Sequence, residues 1–277
     1  MPEGYRERPG PTKVYCILFT PRSGSTWLTQ EIGRLSVMSY PLEYFNADEF
    51  HNSLVEYPCA NLREYYDVVS KKHRTMDGLF GFEIGYWHLA ELEKDLQLLN
   101  LLPESRKFIY LKRQNFVAQG VSLYLATETR RFHSFTTPKT PDEKEHPVSY
   151  IGPMIKAWIA HILYQEYAIE QWLQARDLTA LRITYEEMFP DIEGVIAKIA
   201  QWIGVDVDFN RPRLPIPSPT RLYSDVNREF EDRFRQENRE WCDEWTTLRG
   251  RSTDQLDRLW QLGLNYRRAG DPATPLS

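Results

Sequence analysis

The chain of 277 residues is 42% hydrophobic and 26% charged, a balance typical of a globular protein with a sizeable core. Its net charge of −5 comes with no long basic stretch, which argues against a nucleic-acid surface and leaves any anion site to be built from a few cations and backbone amides. The three cysteines, Cys16, Cys59 and Cys242, are far apart and show no zinc spacing, which indicates a reducing compartment.

Targeting and membrane signals are not apparent in the sequence. The N-terminal segment lacks the apolar core of a signal peptide, and no window approaches the roughly 18 apolar residues that a membrane helix needs. We therefore expect a cytoplasmic protein with no membrane span. We also expect a single domain over 1–277, with 1–12 flexible and 265–277 as a tail, and no metal.

The first predicted elements are a strand, an anion-type loop and a helix. Residues 13–20 form a short apolar run, and after a turn Leu28, Ile32 and Leu35 recur at helical spacing. The same criteria predict further strands at 79–84, 107–113 and 179–185 and helices at 60–73, 88–99, 151–176 and 192–203, besides a helix through Val117, Val121 and Tyr124. This alternation indicates an α/β fold, a P-loop-like three-layer sandwich with a mostly parallel central sheet flanked by helices.

The remaining segments give less regular patterns. Asp191 and Gly204 are suited to cap and end the helix between them. Residues 132–149 are predicted to be a long loop, which together with the 151–176 helix is expected to line a ligand site. The proline-rich segment 211–220 is irregular, and Arg211, Arg213 and Arg221 in or beside it either clamp a phosphate or stay in solvent. One last long helix carries Phe230, Phe234, Trp241, Trp245 and Leu248, and a short helix near 253–263 can follow it.

The loop after the first strand has the composition of an oxyanion site. Ser23, Gly24, Ser25 and Thr26 are small, supply hydroxyl donors and stand at a helix start, where the helix dipole adds roughly half a positive charge. Arg22 adds a cation that can hold an oxyanion through two hydrogen bonds. From these residues alone, a capped helix with Arg22 in solvent is an equal alternative. The Walker A pattern is absent, which argues against an ATPase or GTPase.

Cys16 and Arg22 also have the C-x5-R spacing of cysteine-dependent phosphatases. That chemistry needs the intervening amides to wrap an oxyanion, but here those residues look like a strand interior, and Pro21 has no N–H to offer. The residues between Cys16 and Arg22 therefore favour a core role for Cys16.

A second candidate anion site follows the strand at 107–113. Arg113 lies at the end of that strand, where open α/β sheets bind ligands, and Ser122 stands about two turns into the next helix if that helix begins near Asn115. A cation at the sheet edge and a hydroxyl on the helix could hold one phosphate between them. A surface arginine and an ordinary helix serine remain the alternative.

Taken together, these segments resemble the sulfotransferases that use 3'-phosphoadenosine 5'-phosphosulfate (PAPS), specifically the bacterial trehalose 2-sulfotransferase-like family. RSGST at 22–26 resembles that family's 5'-phosphosulfate loop, PLEYF at 41–45 its P-x-E-[FY]-F segment, and RQNFVAQGVS at 113–122 its 3'-phosphate segment. The resemblance continues more weakly through most of the chain after residue 12. It implies a sulfuryl transfer from PAPS to a hydroxyl of a carbohydrate-like or glycolipid acceptor, with PAP as product, and a homodimer.

The resemblance also implies residue roles. Arg22 and the amides of 23–26 would bind the 5'-phosphate and the departing oxygen, Arg113 and Ser122 would bind the 3'-phosphate, and Glu43 would be the general base. One departure is Glu83, which stands where family members often carry a lysine, and it puts the identity of the sulfuryl acceptor in doubt.

Three alternatives stay open at this point. His51 and His88 are reserve candidates for the base. A nucleotide-phosphate-binding protein without transfer activity is the second functional hypothesis, and a phosphatase that uses Cys16 is the third.

Overall fold

The computed structural model describes residues 7–46, 59–96, 98–132, 148–217, 224–249 and 261. The chain forms two compact units, the first comprising Met1–Lys112 and Leu173–Ser218, the second Arg113–Trp172 and Pro219–Ser277. The expectation of a single domain stays a prediction. None of the helices in the described ranges combines the length and apolar character that a bilayer crossing requires.

Strands and helices alternate through the first two thirds of the chain. In chain order the elements are β1 (Lys13–Phe19), α1 (Ser25–Gly33), α2 (Leu62–His73), β2 (Leu79–Gly85), α3 (Tyr86–Leu96), a 3-10 turn (Leu98–Asn100), β3 (Lys107–Lys112), α4 (Phe116–Thr129), α5 (Gly152–Gln174), β4 (Ala180–Thr184), α6 (Tyr185–Met188), α7 (Ile192–Ile203), α8 (Asp225–Glu237) and α9 (Arg239–Leu248). Most predicted elements are confirmed to within a few residues at each end.

The sheet lies in the first unit and has the strand order β2-β1-β3-β4. Every neighbouring pair is parallel, so that Cys16 of β1 stands opposite Phe82 of β2 and Phe108 of β3. The predicted α/β class with a parallel central sheet is therefore confirmed. Because the carboxyl ends of parallel strands share one edge, the loop after β1 and the last residues of β2 lie at the same edge of the sheet.

The core of the first unit forms around β1, whose residues from Val14 to Phe19 are between 0% and 7% exposed. Leu28 and Ile32 of α1 and Ile199 of α7 belong to the same buried cluster. α7 begins and ends as the sequence predicts: Asp191 accepts a hydrogen bond from the Gly194 amide at 2.8 Å, and Gly204 ends the helix in the left-handed region at φ 71°. The apolar face and its two caps thus fix α7 against the sheet.

The second unit is helical in its described part. α4, α5, α8 and α9 share a buried cluster that includes Tyr124, Ile159 and Trp245. Gly120 of α4 makes a close approach to α5, because a β-carbon at this position would lie 2.2 Å from Cγ1 of Ile159. Glycine is therefore the residue that lets α4 and α5 pack at this separation.

The prediction of one long helix through Phe230 and Leu248 is wrong. The helix breaks at Asn238, which ends α8 and starts α9 with φ −128° and ψ 35°. The Phe234 carbonyl accepts a hydrogen bond from the Asn238 amide at 2.9 Å and a second one from the Asn238 side chain at 3.1 Å, a local side-chain contact that asparagine readily makes. The apolar spacing continues across the break, which is why the periodicity did not reveal it. Residues 133–147 of the predicted loop at 132–149 lie outside the described residues. The predicted short helix near 253–263 also lies outside them, except for residue 261.

Candidate active site

The loop after β1 enters α1 through Gly24, which has φ 93° and serves as the helix N-cap. The amides of Trp27 and Leu28 both donate to the Gly24 carbonyl at 3.1 Å, so the helix begins immediately after this residue. A β-carbon on Gly24 would lie 2.6 Å from Cδ2 of Tyr185, the first residue of α6. The backbone angle and the close packing therefore both require glycine at this position.

The start of α1 presents uncapped donors. No side chain caps the helix, and the amides of Gly24, Ser25 and Thr26 make no hydrogen bond to any described residue. The Ser23 hydroxyl is fully buried and likewise has no partner among the described residues. Arg22 precedes them in a left-handed conformation at φ 64°. Amide and hydroxyl donors at the positive end of a helix are the groups that bind an oxyanion. The alternative interpretation of the sequence, a helix capped by a side chain, does not agree with the structure.

Glu43 lies in the segment after α1, close to the end of β2. Its carboxylate accepts a hydrogen bond from the Asn46 side chain at 3.0 Å, and the residue is half-buried. The carbonyl of the preceding residue, Leu42, accepts a hydrogen bond from the Glu83 amide of β2 at 3.1 Å. This backbone contact fixes the segment against the strand and brings the carboxyl groups of Glu43 and Glu83 near one another.

Aromatic side chains hold this segment in place. The Tyr65 hydroxyl donates to the Tyr44 carbonyl at 2.7 Å, and the Phe45 ring packs edge-on against Phe82 of β2 with centroids 5.3 Å apart. Tyr44 and Phe45 are both buried. Because the two residues that follow Glu43 are anchored in the core, the Glu43 carboxylate stays at a defined position near the sheet edge.

Glu83 is a buried acid in the middle of this site. It is 4% exposed and lies on β2, and its carboxyl hydrogen-bonds to the Ser25 hydroxyl at the start of α1. Burial first, and the negative charge of Glu43 second, raise the pKa of Glu83 well above its ordinary value, while the Ser25 hydrogen bond lowers it. The sequence analysis identified Glu83 only as a departure from the pattern of the family that the chain resembles. The structure places it beside both the anion-type loop and the candidate base.

A stability measurement can test this description of Glu83. Between its ordinary pKa of 4.5 and its raised pKa in the folded state, the folded protein keeps a proton that the unfolded chain has released. The contribution of Glu83 to the free energy of unfolding is therefore greatest below the ordinary pKa and decreases as pH rises through the raised pKa of the folded state. We expect Glu83→Gln, which has no proton to lose, to gain stability relative to wild type as pH rises from about 5 to 8. Urea unfolding at several pH values measures the difference, and a constant difference would contradict the description.

The second predicted phosphate segment begins directly after β3. Asn115 caps α4 by accepting a hydrogen bond from the Ala118 amide at 2.9 Å, which confirms the predicted helix start. Ser122 is half-buried on this helix, within the second turn. Arg113 lies between β3 and the Asn115 cap.

Arg249 braces this segment from the end of α9. Its guanidinium donates to the carbonyl of Arg113 at 2.5 Å and to the carbonyl of Gln114 at 2.6 Å. The same guanidinium forms a two-point ion pair with the buried carboxylate of Glu166 on α5, at 2.7 and 2.5 Å. The backbone next to Arg113 is therefore tied to α5 through one side chain. Sequence analysis missed Arg249 and Glu166, and no local pattern signals them.

Cys16 has the surroundings of a core residue. It is fully buried in the interior of β1. Burial raises the pKa of the Cys16 thiol well above its ordinary value, and ionisation of Glu83 would raise it further, which opposes formation of the thiolate that a phosphatase needs. The structure thus argues against the third functional hypothesis.

Among the other candidates, the described arginines pair with acidic side chains. Arg213 pairs with Glu193 and lies 3.6 Å from Glu31, and Arg211 forms an exposed pair with Asp208. His88 is half-buried on α3. His51 and Arg221 are not among the described residues. In the described ranges, no group of three or more His, Cys, Asp or Glu side chains is arranged to hold a metal ion.

Comparison with known proteins defines the class to which this fold and site belong. The model of the Stf0 sulphotransferase family matches residues 14–237. The chain therefore belongs to the Stf0 sulphotransferase family and is, in class, a transferase.

The similar proteins include two named trehalose 2-sulfotransferases. That of Mycobacterium tuberculosis (strain ATCC 35801 / TMC 107 / Erdman) is 21% identical over 263 residues, covering 81% of this chain and 95% of the relative. That of Mycolicibacterium smegmatis (strain ATCC 700084 / mc(2)155) is 22% identical over 266 residues, with the same coverage of 81% and 95%. Among solved structures, mouse sulfotransferase SULT7A1 complexed with PAP is 17% identical with a TM-score of 0.47, covering 93% of this chain and 91% of the mouse chain.

Proposed function

We propose that this chain transfers the sulfuryl group of PAPS to a hydroxyl of a carbohydrate-like or glycolipid acceptor, giving a sulfate ester and PAP. The observation that carries the proposal is the start of α1, where the amides of Gly24, Ser25 and Thr26 make no hydrogen bond to any described residue in a chain of the Stf0 family. The names of the two trehalose 2-sulfotransferases support a sugar as acceptor. A cytoplasmic location and a homodimer belong to the same proposal.

The start of α1 would stabilise the leaving group. In sulfuryl transfer, the acceptor oxygen forms a new bond to sulfur as the bond from sulfur to the 5'-phosphate oxygen breaks, and PAP leaves with the electron pair. Negative charge therefore grows on the phosphate. We assign its stabilisation to Arg22 and to the amides and hydroxyls of 23–26, by analogy with phosphoryl transfer, in which catalysis is mainly positioning and electrostatics.

Glu43 would take the proton of the attacking hydroxyl. An ionised carboxylate held by Asn46 near the end of β2 is suited to general base catalysis, since its position is fixed before the substrate arrives. The acceptor hydroxyl loses its proton to Glu43 as its oxygen attacks sulfur, which avoids a positively charged ester oxygen. No metal ion is needed for these steps.

Arg113 and Ser122 would hold the 3'-phosphate, which distinguishes PAPS from adenosine 5'-phosphosulfate. We expect Arg113→Ala to weaken PAP binding by roughly 10-fold or more, the effect of losing a hydrogen bond to a charged group, and to leave binding of adenosine 5'-phosphosulfate nearly unchanged. Calorimetry with both nucleotides measures the contrast. Arg130→Ala removes the same charge at the exposed end of α4 and serves as the matched control. Equal weakening of both nucleotides would contradict the role of Arg113.

A transfer assay tests the proposed function directly. The purified protein is incubated with PAPS that carries sulfur-35 in its sulfuryl group and with a panel of free sugars, trehalose and glycolipids. The expected result is label in an acceptor together with an equal amount of PAP. Tight binding of PAP without transfer to any acceptor would favour the second hypothesis, a nucleotide-binding protein. Absence of PAP binding would exclude both.

A further inference from the structure

Glu83 connects three parts of the candidate active site. Its amide donates to the Leu42 carbonyl at 3.1 Å, one residue before Glu43, and its side chain hydrogen-bonds to Ser25 at the start of α1. The carboxyl group is buried, yet its Oε2 has no hydrogen-bond partner among the described residues. A buried polar atom without a partner is costly, and a bound ligand is one way to satisfy it. Since Ser25 engages the same carboxyl group, Oε2 lies beside the loop that presents the uncapped amides.

The surroundings of Glu83 favour its neutral form. Among the described residues, titratable groups that interact with it electrostatically include Tyr15 and Cys16 of β1, Tyr40 after α1, and Glu43. These groups are neutral or acidic, and no cation in the described part of the chain is among the groups that shift the pKa of Glu83. Burial and the charge of Glu43 raise the pKa of Glu83, which agrees with this geometry. A neutral carboxylic acid carries one O–H donor, whereas an ionised carboxylate only accepts.

We propose that Glu83 is a binding residue for the sulfuryl donor, protonated in the nucleotide complex, whose Oε2–H donates a hydrogen bond to an oxygen of the 5'-phosphate at the start of α1, a group that PAPS and PAP share. This inference rests on the proposed function and deepens it. An ionised Glu83 beside Ser25 would repel the anion, while the protonated acid satisfies both Oε2 and an anionic oxygen. The bound anion in turn holds the proton on Glu83, so that nucleotide binding and protonation of this residue support each other.

Two substitutions separate the donor role from a merely structural one. Glu83→Gln keeps a neutral side chain with N–H donors, and Glu83→Leu fills the buried site without any donor. At pH 7.5, where a phosphate monoester with a second pKa of about 6 is fully ionised, we expect PAP affinity of Glu83→Gln to stay within about threefold of wild type. Glu83→Leu should bind PAP about 10-fold more weakly or worse, since it loses a hydrogen bond to a charged group. Glu91→Gln, an exposed acid on α3, is the control.

Infrared difference spectroscopy observes the proton itself. The wild-type protein with PAP should show the carbonyl stretch of a protonated carboxylic acid, and Glu83→Gln with PAP should lack that band. An intact PAP affinity in Glu83→Leu, or a wild-type complex without the band, would overturn the inference. If Glu83→Leu does not fold, the spectra of wild type and Glu83→Gln still show whether Glu83 is protonated in the complex with PAP. Failure of wild type itself to bind PAP would instead overturn the proposed function, so the two failures are distinguishable.

Discussion

Glu43→Gln should lower kcat by about 10²–10⁴-fold, the usual contribution of a general base, and leave PAP affinity close to that of wild type. The amide cannot accept the proton of the attacking hydroxyl, but it keeps the size of the side chain and an oxygen that can accept the hydrogen bond of Asn46. The loss should therefore appear in turnover and not in nucleotide binding. Single-turnover transfer of labelled sulfate and calorimetry with PAP measure the two quantities separately.

The neighbouring acid Glu83 calls for a parallel measurement. Glu83 is close enough to act on Glu43 electrostatically, so a loss of activity in Glu43→Gln alone could reflect the pair. A parallel measurement on Glu83→Gln resolves this, since in our assignment only Glu43 takes the proton. Turnover of Glu43→Gln equal to that of wild type would remove Glu43 from the base role and direct attention to His88 or His51.

Arg249→Met should destabilise the protein by about 3–5 kcal/mol, the range expected when one partner of a buried ion pair is removed. The Glu166 side chain is 2% exposed and that of Arg249 is 14% exposed, so the carboxylate would lose its ion pair in a place where water cannot replace it. The carbonyls of Arg113 and Gln114 would lose their donor as well. Urea unfolding measures the stability. PAP affinity should fall at the same time, because the backbone beside Arg113 is no longer fixed.

A second substitution separates the ion pair from the brace. In the double variant Arg249→Met with Glu166→Leu, no buried charge is left alone, and we expect much of the lost stability to return while PAP affinity stays low. The surface pair of Arg228 and Asp225 provides a control, since Arg228→Met should cost less than about 1 kcal/mol. If Arg249→Met costs no more than this control, the ion pair does not support the segment.

The sequence predicts elements that depend on local patterns. β1 and β3 are short apolar runs between turns, and α7 has an apolar face, an acidic cap and a terminal glycine, so each is visible within a window of about 15 residues. The loop at 22–26 and the cap at Asn115 also follow from neighbouring residues. The break at Asn238 does not, because the apolar spacing stays helical through it and the break lies in the backbone angles of one residue, φ −128° and ψ 35°.

Contacts between distant positions could not be predicted in this way. Arg249 reaches a carbonyl 136 positions earlier in the chain, and nothing near either residue indicates the other. Glu83 is similar: within its strand it is one polar residue in an apolar run, and its meaning depends on Ser25 and Glu43 from two other segments. The requirement for glycine at position 24 likewise becomes visible only once Tyr185 is seen to pack against it.

The tight crossing of α4 and α5 constrains the order in which mutations can accumulate. Gly120→Ala alone would press a methyl group into Ile159, although alanine is favoured over glycine inside a helix by about 1 kcal/mol. Ile159→Ala alone would leave a void. The two changes together exchange volume across the crossing. A laboratory-evolution library should therefore reach alanine at position 120 only in lineages that already carry a smaller residue at 159, a case of sign epistasis set by one close helix crossing.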